Sequence, residues 1–259
     1  MNTVVLVKQV PDTWAERSLS SADKTLNREG VDAVINELDE YAVEEALRLK
    51  EAHGGTVTVL SMGPARVTET IRKVLSMGVD AGIHVTDDAL HGSDAIQTAR
   101  AIAAALGTVG WDLVLTGVES TDARMSVLPA LLAELLGVAQ LSRARAVTVD
   151  GQVVRIERST DDGYQVVEAT LPAVLSVVEK INEPRYPSFK GIMQAKSKPV
   201  TTLGVADLGL AAGEVGLAAA YSQVTEVDQR LDRQVGQVVK DEGDGGVKIA
   251  DYLVARKLV

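Results

Sequence analysis

Ser120, Thr121 and Asp122 follow Gly117 in the stretch GVESTDARMSVLPALLAELLG, just ahead of a run with helical periodicity. Three short oxygen-bearing side chains at such a place gather hydroxyls and free backbone N–H groups at a helix N-terminus, the usual arrangement for holding a phosphate. The same residue types also cap helices when no ligand is present. Plain capping therefore stays open as the alternative, with Asp122 as a cap residue and not a phosphate ligand. No other chemistry is written in the chain. G-x-G-x-x-G is absent after the first strand-like run, and neither G-x-x-x-x-G-K-[ST] nor G-x-S-x-G occurs anywhere. His53, His84 and His91 fall on a helix end, a strand and a loop, without metal-ligand spacing. Ser61 and Ser76 have no base near them in sequence. No catalytic residue, acid/base pair or metal site is expected, and the carboxylates of 37–45 read as a solvated helix face with favourable charge at its N-terminus.

A phosphate site needs elements that bring it together. The runs TVVLV (3–7), TVTVLSM (56–62), GIHVT (82–86) and DLVLTG (112–117) lack polar-out alternation and read as parallel strands buried on both faces. Between them, 39–53 places Ala42, Ala46 and Leu49 on one helical face and stops at Gly54-Gly55; 64–77 starts with Pro64 at the first helical position; 93–106 takes Ser93 as its N-cap. Alternating strands and helices predict an α/β fold, a doubly wound, mostly parallel sheet. In such a sheet ligands lie outside the carboxyl ends of the strands, here Leu6 to Lys8, Met62 to Pro64, and Gly117.

From Arg143 the period changes to two, and Asp150-Gly151 and Asp162-Gly163 predict consecutive hairpins. The stretch VEKINEPRYPSFKGIMQAKSKP (178–199) carries Pro184 and Pro187, which exclude a helix interior or a central strand and predict a rigid loop. Beyond Pro199 periodicity weakens until GVKIADYLVARKLV (246–259), an amphipathic terminal helix. The chain thus divides into an α/β domain over 1–199 and an arm over 200–259, either a frayed tail or a segment that packs on a partner subunit.

Bulk properties narrow the function. With 259 residues, 46% of them hydrophobic, the chain can bury a large core. A formal charge of -10 disfavours nucleic-acid binding, and the absence of cysteine removes disulfides, thiolate metal sites and a cysteine nucleophile. No apolar run is long enough to span a bilayer and the N-terminus has no signal-like pattern, so a cytoplasmic location is expected.

The 178–199 stretch resembles the signature of the electron transfer flavoprotein beta subunit family. The resemblance continues through VLVKQVPD (5–12), NELDEYAVEEALRLKE (36–51), GPARVTETIRKVLSMGVDAGIHV (63–85), DLVLTGVESTD (112–122), LPAVLSVVEKINEPRYPS (171–188) and GIMQAKSKP (191–199). It implies a Rossmann-like, adenine-nucleotide-binding fold and an electron carrier without catalytic residues of its own. It further implies pairing with an alpha subunit, one FAD bound mainly by that subunit, and one AMP held in this chain. Electrons would come from flavin-dependent dehydrogenases such as the acyl-CoA dehydrogenases of fatty acid beta-oxidation and pass to a quinone-linked oxidoreductase.

Carried over by motif position, the AMP contacts fall at Leu6, at Asn36, Glu37, Leu38 and Asp39, at Met62, and along Gly117, Val118, Glu119, Ser120, Thr121, Asp122, Ala123, Arg124, Met125, Ser126, Val127 and Leu128. Backbone amides of the last segment would hold the phosphate, with Leu6 and Met62 near the adenine. The partner-recognition loop falls at 178–191, with Lys180, Ile181, Asn182, Glu183, Pro184, Arg185 and Tyr186 as contacts and Ile181 as an exposed apolar anchor, unless Ile181 fills this protein's own core. Trp14 faces the flavin edge or packs as a buried residue. Family members that bifurcate electrons carry a second FAD in the beta subunit, with NADH chemistry, and typically show Gly-Asp-Thr where this chain has Ala123-Arg124-Met125; the departure favours AMP. A free-standing adenine-nucleotide-binding protein of similar architecture is the alternative from another class.

Overall fold

A computed structural model describes residues 1–228, 236 and 238–259. The described chain forms two units, Met1–Thr225 and Glu226–Val259. In the larger unit the elements run β1 (Asn2–Leu6), β2 (Gln9–Pro11), β3 (Ala33–Ile35), α1 (Glu37–His53), β4 (Thr56–Met62), α2 (Val67–Met77), β5 (Ala81–Val85), α3 (Ala95–Leu106), β6 (Leu113–Gly117), α4 (Leu128–Leu136), β7 (Ala139–Asp150), β8 (Val153–Thr160), β9 (Gly163–Thr170), β10 (Ala173–Val177), α5 (Phe189–Ala195) and β11 (Val200–Leu203). The smaller unit contains α6 (Gly245–Ala255).

The nine-stranded sheet has the order β11-β5-β4-β1-β6-β10-β7-β8-β9. Every pairing from β11 to β7 is parallel, and β7, β8 and β9 pair antiparallel. The central strands are apolar without alternation because helices cover both faces. Successive residues of β1 show this: Val5 belongs to a cluster with Val43, Leu47, Ile71 and Leu175, whereas Val4 and Leu6 belong to the opposite cluster with Ile102, Val114 and Leu132. The chain moves from β1 outward to β4 and β5, then crosses back to β6 on the other side of β1. Strand order therefore reverses between β1 and β6, where the carboxyl ends of Leu6 and Gly117 flank the crevice favoured for ligands.

The expected doubly wound sheet and the two hairpins are present, and several elements differ from expectation. β10, which follows directly on the second hairpin of the period-two stretch, is a wholly buried parallel strand between β6 and β7. Its five residues, AVLSV, are apolar on both faces apart from Ser176, which is the mark of a covered strand and not of a half-exposed one. Helix α3 is capped by Asp94, whose Oδ1 accepts from the Gln97 amide at 2.9 Å; Ser93 instead donates its hydroxyl to the Leu90 carbonyl. Pro64 lies three residues before α2, in a turn closed by the Val67 amide donating to its carbonyl. The second half of 178–199 is not loop but helix α5, capped by Ser188. Residues expected in the arm from Val200 onward enter the larger unit instead: β11 pairs with β5 at the sheet edge, and Val205, Leu208 and Val215 are buried in the α3-side cluster. Part of the remaining arm, 229–235 and 237, lies outside the described residues. Helix α6 realises the terminal helix and leaves Val247, Ile249 and Val254 exposed.

Candidate functional site

The crevice is organised by one buried amide side chain. Asn36, fully buried at the start of α1, makes no capping bond to its own helix. Its Nδ2 donates to the Glu119 carbonyl at 2.9 Å and its Oδ1 accepts from the Thr121 amide at 3.0 Å, while its backbone N–H donates to the Lys8 carbonyl. Segment 117–128 is thereby hung from the junction of β1 and α1. Both polar ends of the Asn36 side chain are used in this way, so it positions the segment and has no polar atom left for another partner. Gly117 allows the close approach: a Cβ there would stand 2.6 Å from Asp39 Oδ1 and 2.8 Å from the Leu38 carbonyl. Asp39 is buried beneath it and accepts from the Lys8 amide at 2.8 Å; burial pushes its carboxyl up to about 7.

Asp122 neither caps a helix nor faces solvent. Helix α4 begins only at Leu128, with no side-chain cap, because residues 121–127 form a turn and an irregular stretch with Arg124 and Ser126 at φ +50° and +54°. The wholly buried Asp122 side chain sits between two cations: Lys8 Nζ at 2.8 Å from Oδ1 and Arg28 Nη1 at 2.6 Å from Oδ2, the latter an ion pair without hydrogen-bond alignment. Lys8 Nζ also lies 3.3 Å from Ser120 Oγ. Burial alone would push the Asp122 carboxyl up, but Lys8 and Arg28 outweigh it and hold the group down at about 2. Burial pulls the Lys8 ammonium below its ordinary value despite Asp122. The trio carries one excess positive charge beside a segment in which Thr121 Oγ1 is buried without a partner and, of the amides from 122 to 128, only that of Arg124 donates to a backbone carbonyl among the described residues. Left-handed residues alternating with others turn successive amides toward a common concavity, a geometry suited to anions.

The other expected contacts divide by burial. Leu6 is buried in the α3-side cluster and Met62 packs half-buried against the same cluster. Leu38 is half-buried and Glu37 is exposed. Gly117 is buried, Val118 to Asp122 are half-buried, Ala123 to Val127 are exposed and Leu128 is half-buried. The crevice thus gathers Asn36, Asp39, Gly117 and Ser120 to Asp122, whereas Glu37 is exposed and makes no bond to any of them.

The 178–188 loop is bound to the helix that begins at Asn36. Lys180 takes φ +66°, and the turn it makes folds Ile181 back, half-buried, against the α1-side core cluster. Ile181 is therefore not the exposed anchor expected from the sequence. Asn182 Nδ2 donates to the Tyr41 carbonyl and to Glu45, and Arg185 pairs with Glu44 and Glu51. The large hydrophobic side chains left in solvent over 178–189 are Tyr186, 94% exposed, and Phe189, 83% exposed.

Comparison with known proteins decides the family. The electron transfer flavoprotein domain model matches residues 23–208. The chain is 53% identical to the electron transfer flavoprotein subunit beta of Mycobacterium leprae, over 100% of this chain and 99% of that one. It is 37% identical to the protein of the same name from Thermoanaerobacterium thermosaccharolyticum, over 92% of each. A subunit of the caffeyl-CoA reductase–Etf complex of Acetobacterium woodii is 35% identical over 86% of each.

The chain belongs to the electron transfer flavoprotein beta subunit family.

Three features of this beta-family chain were not found from its sequence. Arg28, which pairs with Asp122, lies in the excursion between β2 and β3 and carries no local signal. Lys8, two residues beyond β1, stands at a strand end named from the sequence, but its bonds to Asp122 and Ser120 were not read there. Phe189 is the only phenylalanine of the chain and stands in solvent two residues after Pro187, a combination that marks a displayed side chain. Trp14 is not a packing residue: it is 93% exposed at the rim of a cleft of about 580 Å³ lined by Asp12, Ala15, Glu29, Gly30, Val31 and Asp32. Of the histidines, His84 is buried with Nε2 2.9 Å from the Gly63 carbonyl, and His91 lies 2.7 Å from Asp23. No cluster of metal-ligating side chains occurs among the described residues, and no helix among them is long and apolar enough to cross a membrane.

Proposed function

We propose that this chain is the beta subunit of a heterodimeric electron transfer flavoprotein, in which it holds one AMP and docks dehydrogenases. With an alpha subunit that binds most of the FAD, it would take electrons from flavin-dependent dehydrogenases in the cytoplasm and pass them to a quinone-linked oxidoreductase. It would act as a carrier, without catalytic residues of its own. The observation that carries the nucleotide part is the 117–128 segment, suspended at the reversal of strand order with unpaired amides and a partnerless Thr121 hydroxyl beside a net positive charge. A nucleotide phosphate fits those donors, and Asp122, already neutralised by Lys8 and Arg28, does not oppose it. AMP is favoured over a second flavin because the exposed Ala123-Arg124-Met125 stretch carries bulky side chains.

Docking is assigned to the loop from 178 and to the start of α5. Since Ile181 is half-buried, the apolar contact passes to Tyr186 and Phe189, side chains displayed on a stiffened segment, which cost little ordering on binding. The Acetobacterium woodii relative, named as part of a CoA-ester reductase complex, supports CoA-ester oxidoreductases as the partner class. Helix α6, with Val247, Ile249, Tyr252 and Val254 exposed, suits a segment that packs on the alpha subunit.

The test is anaerobic reduction of the heterodimer's flavin by an acyl-CoA dehydrogenase and its substrate. Rapid bleaching of the flavin, slowed several-fold in Phe189→Ala, is expected. A chain that neither co-purifies with an alpha subunit nor supports flavin reduction would overturn the assignment.

A further inference from the structure

Arg185 commits an unusual number of bonds to its own molecule. Its Nε donates to Glu44 Oε2 at 2.7 Å, Nη2 to Glu44 Oε1 at 2.9 Å and to Glu51 Oε2 at 3.3 Å, Nη1 to Glu51 Oε1 at 2.5 Å, and its backbone N–H to Glu44 Oε2 at 3.1 Å. Glu44 and Glu51 are seven residues apart on α1 and so share one face two turns apart. The planar fork of arginine matches two carboxylates in this way, and lysine cannot. The Glu44 side chain is only 7% exposed, so this pair is shielded from water and salt far more than an ordinary surface bridge.

The far end of the segment is fixed as firmly, to a different helix. Arg72 on α2 donates to the carbonyls of Ala195 and Lys198, both at 2.7 Å, and Lys198 donates to those of Leu75 and Val79. Between these two attachments, one to α1 and one to α2, lie Tyr186 and Phe189, with almost no contact of their own.

We infer that Arg185 is a positioning residue for partner docking: with its guanidinium spent on Glu44 and Glu51, it sets the pose in which Tyr186 and Phe189 are presented and does not itself touch the dehydrogenase. This rests on the docking reading above. A guanidinium with four of its five donors committed has little left for a partner carboxylate, and a backbone N–H bonded to the same Glu44 locks the main chain one residue before Tyr186. The rigidity has a function only if the displayed side chains must arrive pre-formed, since ordering them at the encounter would weaken binding.

The experiment uses the heterodimer with the alpha subunit and an acyl-CoA dehydrogenase as electron donor, comparing Arg185→Gln, Arg185→Lys, Glu44→Gln, the Arg185→Gln/Glu44→Gln pair and Phe189→Ala. Expected are a five- to twenty-fold rise in KM for the flavoprotein in Arg185→Gln with kcat within twofold, a similar rise in Glu44→Gln, no further rise in the double variant, and faster amide exchange over 183–189 with unchanged FAD content. Arg185→Lys should recover only part of the loss. A rise in Arg185→Gln with none in Glu44→Gln would overturn the inference, because it would mean that Arg185 meets the partner directly. No rise in either, with a rise in Phe189→Ala, would overturn it while leaving docking intact. No rise in Phe189→Ala would refute the docking reading itself. Should Arg185→Gln fail to fold, Glu51→Gln, which removes only the exposed outer carboxylate, is expected to give a smaller rise, and an unchanged KM there overturns the inference.

Discussion

Replacing Asn36 by alanine should release the 117–128 segment without disturbing the helix that Asn36 begins. Two side-chain hydrogen bonds are lost, to the Glu119 carbonyl and from the Thr121 amide, and the vacated site is too buried for water to replace them freely. At about 1 kcal/mol each, they hold the segment by about 2 kcal/mol, or roughly thirtyfold in its opening equilibrium. Helix α1 should keep its protection, because Asn36 makes no side-chain bond to α1 amides and its backbone bond to Lys8 survives the substitution. Native-state hydrogen exchange resolves the two regions separately. In Asn36→Ala the Thr121 amide should exchange roughly thirtyfold faster while amides of 41–53 change less than about twofold. Equal exchange at Thr121 in both proteins would refute the suspension of the segment from Asn36, and equal acceleration along α1 would show that Asn36 acts on the helix.

Asp122→Asn should cost about 2 kcal/mol at neutral pH in chemical denaturation, since it leaves Lys8 and Arg28 facing each other without their shared carboxylate. The folded-state value of Asp122 lies below that of the unfolded chain, so its stabilisation is full above about pH 4 and disappears as pH falls through about 2; the gap between wild type and variant should close over that window. Asp39 has the opposite sign: buried and pushed up to about 7, it keeps a proton that the unfolded chain releases near pH 4, so wild type should lose stability relative to Asp39→Asn as pH rises from about 4 to about 7 and then level off. Gly117→Ala should lower Tm by several degrees, equivalent to about 1–3 kcal/mol of overpacking, because its Cβ would press on Asp39 and the Leu38 carbonyl; an unchanged Tm would contradict that contact.

The parallel sheet was legible because its strands are continuous apolar runs separated by amphipathic helices, and the strand ends were legible with it, but the reversal of strand order that selects Leu6 and Gly117 among them came only from the pairing. The short tertiary facts were not legible. β10 was hidden because five apolar residues directly after a hairpin look like its continuation, and only the pairing with β6 and β7 separates them. Asp122 has the residue type and place of a cap, yet the helix starts six residues later and the carboxylate turns inward to two cations, one of them from the excursion between β2 and β3. Ile181 was apolar on a proline-stiffened loop, but the left-handed turn at Lys180 that folds it inward has no glycine to announce it. Each miss depends on contacts between segments far apart in sequence, and a single chain shows only their types.

The central claim, that the 117–128 segment is an AMP site in a flavoprotein whose flavin belongs mainly to another subunit, is tested most directly by nucleotide content. The chain should be co-expressed with an alpha-type subunit, the purified heterodimer denatured, and the released nucleotides separated by chromatography and counted. One AMP and one FAD per heterodimer is the result expected, with AMP reduced in Asn36→Ala and FAD unchanged. Two FAD and no AMP would contradict it and make the segment held by Asn36 a flavin site.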